Sequence, residues 1–167
     1  KGAHDNWSGA AVLLAIAEEL AGHTLTFTVR FIAFGSEEVG LRGSAHYVDS
    51  LSDEQRDEIV AMLNFDALGG GKSLEILGDG PLVDRAAELA QKEGIVVSKG
   101  RDRRGSSSDH ASFRRGGIPV LMVSAQDFSR IHSADDTLEH VNPDLLRDTV
   151  RLAVALLLRP NPFDEGL

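Results

Sequence analysis

The chain has 167 residues, 42% hydrophobic and 26% charged, which suits one globular domain with a real core and leaves too little for two. A net charge of −9 argues against nucleic-acid binding, and the absence of cysteine excludes disulfides and thiolate metal sites. No stretch reaches the ~18 apolar residues of a membrane-spanning helix, and none of the 167 residues reads as a signal peptide. The chain starts at Lys1 without an initiator methionine and runs straight into GAHDNWSGAA, so it reads as a processed product or an excised fragment.

In chain order, NWSGAAVLLAIAEELAG (6–22) is rich in Ala and Leu and stops at Gly22, which predicts a buried helix. TLTFTVRFIAFG (24–35) is β-branched and aromatic, alternating at first and then continuous, and predicts a strand that becomes fully buried. LSDEQRDEIV (51–60) reads as a short polar helix or turn. IVAMLNFDALGG (59–70) is a buried strand ending in a glycine-rich turn, and SLEILGDG (73–80) is a strand and a turn. PLVDRAAELAQKEG (81–94) predicts a helix with Pro81 in its first turn and Gly94 at its end. The one basic cluster, KGRDRRG (99–105), carries an aspartate and two glycines and reads as a solvated loop rather than a phosphate site. SDHASFRRGG (108–117) predicts a short helix capped by Ser108 or Asp109. IPVLMVSA (118–125) is a third buried strand, and NPDLLRDTVRLAVALLL (142–158) a closing helix capped by Asn142. Strands alternating with helices imply an α/β sandwich around a mostly parallel sheet, where ligands sit beyond the carboxyl ends of the strands.

The residues at those ends are acids and a histidine: Glu37 and Glu38 after the first strand, Asp66 in LNFDALGG, and His132 in SRIHSADDT. Asp5 joins them if the first helix starts at the same crevice. Each has a plain alternative: Asp5 as a helix N-cap, Asp66 as a strand terminator, His132 as an ordinary surface or core residue. Together they form an oxygen and nitrogen ligand set without sulfur, suited to zinc, manganese or cobalt. A divalent cation would also offset the repulsion of the adjacent pair Glu37–Glu38, one acid holding metal while the other serves as general base. Residue pattern alone thus points to a metallohydrolase.

GAHDNWSGAA, FGSEEVGLRGSAHYV, LNFDALGG, SDHASFRRGGIP and IHSADDT follow one another in an order that resembles the co-catalytic, two-zinc aminopeptidases, the family of bacterial leucine aminopeptidases. The resemblance covers nearly the whole chain. It implies a mixed β-sheet flanked by helices over residues 1–167, two zinc ions, and removal of N-terminal residues from peptides. It further implies that Asp5 bridges the metals and that Glu37 is the general base. Glu38 and His132 would complete one metal site with Asp5, and Asp66 would join Asp5 at the other. Ser108, Asp109 and His110 would line the substrate site, their alternative being a helix cap and a packing histidine. His46 and His4 would have no ligand role, and the Asp5–Asn6 peptide bond would be cis. Export from the cell follows from the resemblance only.

Two departures stand out. The family carries a His-x-Asp motif ahead of its bridging aspartate, and nothing before Asp5 supplies one. The expectation is therefore a domain truncated at its N-terminus that binds one zinc or none. Ile131 stands where many members have a tyrosine, which moves oxyanion stabilisation to the metals or elsewhere. Two rival readings remain: a glutaminyl cyclase-like zinc acyltransferase, and a non-catalytic binding or dimerisation module of the same fold.

Overall fold

A computed structural model describes residues 1–101, 107–159 and 163; residues 102–106 of the basic cluster lie outside the described residues. The helices are α1 (Ser8–Leu20), α2 (Arg42–Asp49), α3 (Asp53–Asp57), α4 (Gly80–Glu93), α5 (His110–Arg115) and α6 (Pro143–Leu157). The strands are β1 (Met62–Phe65), β2 (Leu74–Gly78), β3 (Val97–Lys99) and β4 (Val120–Ala125). They form one mixed sheet in the order β1-β4-β2-β3, with β1–β4 and β2–β3 parallel and β2–β4 antiparallel.

Local chemistry explains most boundaries. Pro81 sits in the first turn of α4, and Gly94 ends it at a φ of 69°, the left-handed conformation glycine adopts without strain. Ser52 and Gln55 form a reciprocal capping box on α3, and Asn142 caps α6 through the Asp144 N–H. Helices α1, α4 and α6 pack on one face of the sheet over Leu74, Ile76, Leu121 and Val123. The other face carries α5 and α2 on a smaller cluster of Val48, Phe113, Ile118 and Val120. Every residue of β4 is buried, as its unbroken apolar run requires.

Four features differ from the sequence reading. Residues 24–35 are not a buried strand: their backbone makes no sheet bond, and side chains alternate between half-buried and exposed. Leu25, Phe27 and Val29 lean on the core, but among the described residues no strand runs alongside to bury the rest. α1 is less buried than its composition suggests, because Leu14 points to solvent at 75% exposure. Helix α2 and strand β3 emerge where no element was expected; α2 lacks a side-chain cap and β3 is only 3 residues long. Finally, neither Ser108 nor Asp109 caps α5 with its side chain. Ser108 donates instead to Asp66, at 2.6 Å.

Candidate metal centre

The crevice lies beyond the carboxyl ends of β1 and β4, where the loops after residues 24–35, β1 and β4 meet the start of α1. Its cavity, of about 540 Å³, is lined by Asp5, Glu37, Glu38, Asp66, Ser108 and His132, among others. Glu37 and Glu38 sit in a turn closed by four bonds: Gly40 and Leu41 N–H to Glu37 C=O at 3.1 and 2.8 Å, Arg42 N–H to Ser36 C=O at 3.1 Å, and Gly43 N–H to Gly35 C=O at 3.1 Å. Gly43 is required there, because a Cβ would lie 2.4 Å from the Gly35 carbonyl oxygen. The turn directs both carboxylates into the crevice, Glu37 half-buried and Glu38 exposed.

Asp5 precedes α1 in an irregular turn over Ala3–Trp7, with φ −120° and ψ 99°. It is no helix cap; the Asp5–Asn6 peptide bond is cis, as the resemblance implied. Ser8, buried at the start of α1, donates to the His4 carbonyl at 2.5 Å and accepts from the Leu68 N–H at 3.0 Å. The turn carrying Asp5 is thereby tied to the loop carrying Asp66.

His132 Nε2 lies 3.0 Å from Asp5 Oδ2 and 2.7 Å from Glu38 Oε1. One ligand atom from each of the three residues lies within 4.8 Å of the others. Two carboxylates and an imidazole suit a divalent cation such as zinc, which takes three protein ligands and a water in catalytic sites. The imidazole ring lies between the two acids.

The electrostatics express the same crowding. Burial, then the charges of Asp66 and Glu38, push the Asp5 carboxyl up to about 6. Burial, followed by Asp66, Glu38, Asp109 and Asp5, pushes Glu37 up to about 7. Burial also raises Asp66, although the Ser108 hydroxyl pulls back. The Glu38 carboxylate raises His132. Asp5, Glu37, Glu38 and Asp66 crowd one crevice, and only Asp5 and Glu38 meet the His132 imidazole, an arrangement that a cation would relieve.

Of the three residues expected to line the substrate site, Ser108 and His110 border the crevice. Asp109 instead borders a neighbouring cavity beside β1. His46 is exposed on α2, away from the crevice. His4 is buried and fully engaged, with Nδ1 3.2 Å from Asp136 and Nε2 3.1 Å from the His140 carbonyl oxygen. Asp136 itself was not anticipated. Its carboxylate accepts from the backbone N–H groups of His4 at 2.7 Å and Asp5 at 3.2 Å. The doubled acid in HSADDT, four residues after His132, was the signal available for it. The crevice floor comes from two cross-strand pairs, Leu77–Met122 and Glu75–Ser124, with Phe128 and Ile131 at the side.

A model of peptidase family M28 matches residues 1–157. The chain is 32% identical to aminopeptidase YwaD of Bacillus subtilis over 92% of its own length and 36% of that protein's. It is 31% identical to a probable leucine aminopeptidase of Arthroderma benhamiae, over 92% of this chain and 46% of the relative. Among solved structures, an aminopeptidase from Aneurinibacillus sp. strain AM-1 superposes with a TM-score of 0.84 at 30% identity, covering 99% of this chain and 42% of that one. A zinc aminopeptidase from Bacillus subtilis gives 0.83 at 31% identity, over 92% of this chain and 41% of the other. The chain thus spans less than half the length of these relatives.

Proposed function

The chain belongs to peptidase family M28, and from that premise we propose that it carries the metal-binding core of a zinc aminopeptidase acting on peptides with a free N-terminus. The observation that carries this reading is the convergence of Asp5, Glu38 and His132 beside Glu37. Zinc, when bound, would polarise the scissile carbonyl and make water a stronger nucleophile near neutral pH.

The remaining chemistry belongs to the chain. Asp5, Glu38 and His132 would hold the cation. Glu37, with a carboxyl raised to about 7, is poised to accept a proton near neutral pH and to return it to the leaving amine. A cation beside it would lower that value, which favours the ionised base. The Ser108 hydroxyl donates to Asp66, which also lines the crevice. The apolar part of the floor, Leu77, Met122, Phe128 and Ile131, offers a surface for the side chain of the N-terminal residue.

On this reading the chain by itself holds at most one zinc ion tightly and hydrolyses peptides poorly or not at all. One group of ligands has an imidazole; Asp5 and Asp66 together do not, and the ring of His4 is committed to Asp136 and His140. The test is elemental analysis after dialysis, with hydrolysis of leucine p-nitroanilide measured on the same sample. One equivalent of zinc with weak turnover is the expected result. Two equivalents with robust turnover would show that another side chain supplies a further ligand, and no retained zinc would overturn the site.

A further inference from the structure

The face of the sheet that floors the crevice carries a row of polar side chains. β2 and β4 are antiparallel, and their register sets Glu75 opposite Ser124 and Leu77 opposite Met122. On the other flank of β4 the parallel ladder runs on past Phe65 and Val123, since the Asp66 N–H donates to the Val123 carbonyl at 3.2 Å. Asp66, Ser124 and Glu75 therefore stand at one level on the crevice face, with Leu77 and Met122 at the next. Neighbouring strands lie ~4.8 Å apart, which puts the Glu75 backbone about 10 Å from that of Asp66, across β4.

Ser124 and Glu75 have no part in the metal centre. Ser124 is 1% exposed, and among the described residues its Oγ has no hydrogen-bond partner, although it lines the crevice. A buried hydroxyl is costly to leave unpaired. Water can satisfy it in the open crevice, but a side chain that displaces water must bring a polar group of its own. Glu75 is half-buried beside it, with its side chain laid along Gly100. A Cβ at Gly100 would come 2.6 Å from the Glu75 Cγ and Cδ, so glycine leaves the room this side chain occupies.

The charge around this row is mainly negative, because Glu75 adds to Asp5, Glu37, Glu38 and Asp66. Arg101 borders the same crevice but is exposed, where water screens its charge, and His132 is engaged by Asp5 and Glu38. An acidic side chain entering here meets like charge, and an apolar one strips water from Ser124. A cation gains on both counts.

We propose that Glu75 and Ser124 select a basic N-terminal residue, lysine or arginine, in the peptide substrate. The aliphatic stem lies on Leu77 and Met122, Ser124 accepts a hydrogen bond from the charged head, and Glu75 balances its charge. Length favours the same residues. The four-carbon stem of lysine spans the step from Asp66 past Ser124 towards Glu75, whereas valine and leucine stop short of the acid. This assignment rests on the aminopeptidase reading above and adds the class of side chain that its crevice takes.

The test compares lysine with norleucine, which has the same stem without the ammonium group. On the zinc-loaded full-length protein, kcat/KM for lysine p-nitroanilide should exceed that for norleucine p-nitroanilide about 10-fold or more, the scale of a charge-assisted bond. Glu75→Gln keeps the shape of the side chain and should bring that ratio within about 3-fold of one, and Glu75→Lys should invert it. Ser124→Ala should narrow the ratio by improving norleucine, which no longer leaves a hydroxyl unpaired. A wild-type ratio near one, or one that Glu75→Gln leaves intact, would overturn the proposal; an unchanged ratio in Ser124→Ala would overturn the part given to Ser124. Calorimetric titration with free lysine and free norleucine makes the same comparison without turnover. Failure to hydrolyse either anilide would count against the aminopeptidase reading, and the binding ratio would still decide the role of Glu75: tighter binding of lysine that Glu75→Gln abolishes supports it, and equal binding overturns it.

Discussion

Asp136 grips His4 from across the chain: its Oδ1 accepts the His4 backbone N–H at 2.7 Å and lies 3.2 Å from the ring Nδ1. Its second oxygen takes the N–H of Asp5. Burial works to raise this carboxyl, but the backbone N–H groups of His4 and Asp5, with the His4 ring, hold it below the usual carboxylate range. Because Asp136 and His132 share one loop, the clamp sets the distance between two ligands that lie at opposite ends of the sequence.

Asp136→Ala removes a charged acceptor from two buried N–H groups. Each such bond contributes about 1.5–3 kcal/mol, so a loss of about 3 kcal/mol is expected in urea unfolding. Zinc affinity should fall about 10–100-fold, the usual scale for losing a group that orients a ligand. Unchanged zinc affinity in a titration would mean that Asp5 and His132 find each other without the clamp.

Glu37 and Glu38 are neighbours with separable effects. Glu37→Gln should leave zinc binding nearly intact while lowering turnover of the full-length protein by roughly 10²-fold or more, as expected for loss of a general base. Glu38→Gln should weaken zinc binding, measured by competition with a chelating dye. Near-normal turnover in Glu37→Gln would assign the base elsewhere.

The metal-free chain should lose stability as pH rises from about 4 to above 7. Asp5 rises from 3.8 to about 6 and Glu37 from 4.5 to about 7, so between those values the folded chain binds more protons than the unfolded one. His132, also raised, contributes stability below 6.5 that is lost as pH climbs through its folded value. Asp136 acts oppositely, its contribution being present above 3.8 and lost in more acid solution. Urea midpoints should therefore peak in mildly acid buffer. Zinc should reverse the trend near pH 7.5, adding about 2.7 kcal/mol at a hundredfold excess over its Kd, because its ligands bind deprotonated. A midpoint that rises with pH in the absence of metal would contradict the crowding of acids.

Gly9→Ala should be destabilising although it lies in a helix. The added Cβ would meet the Phe65 carbonyl oxygen at 2.2 Å and the Asn6 side chain at 2.5 Å. Overpacking of this kind costs about 1–3 kcal/mol, read as a lower melting temperature. A helix-propensity gain alone would raise it instead.

Local chemistry made much of this molecule readable from its sequence. The breaks at Pro81 and Gly94, the cap at Asn142 and the apolar run of β4 act over a few residues, so they carry their own signal. Acids that follow apolar runs marked the crevice for the same reason, since strand ends are local features. What required the tertiary structure depends on which segments become neighbours. Residues 24–35 have the composition of a buried strand, yet burial needs a partner alongside, and the described residues place none there. Ser108 and Asp109 look like helix caps, but one donates to Asp66 and the other lines a cavity beside β1. His4 and His132 look alike in sequence, each beside or near an aspartate. Folding buries His4 against Asp136 and leaves His132 exposed between Asp5 and Glu38, because only the packed loops decide which carboxylates each ring meets.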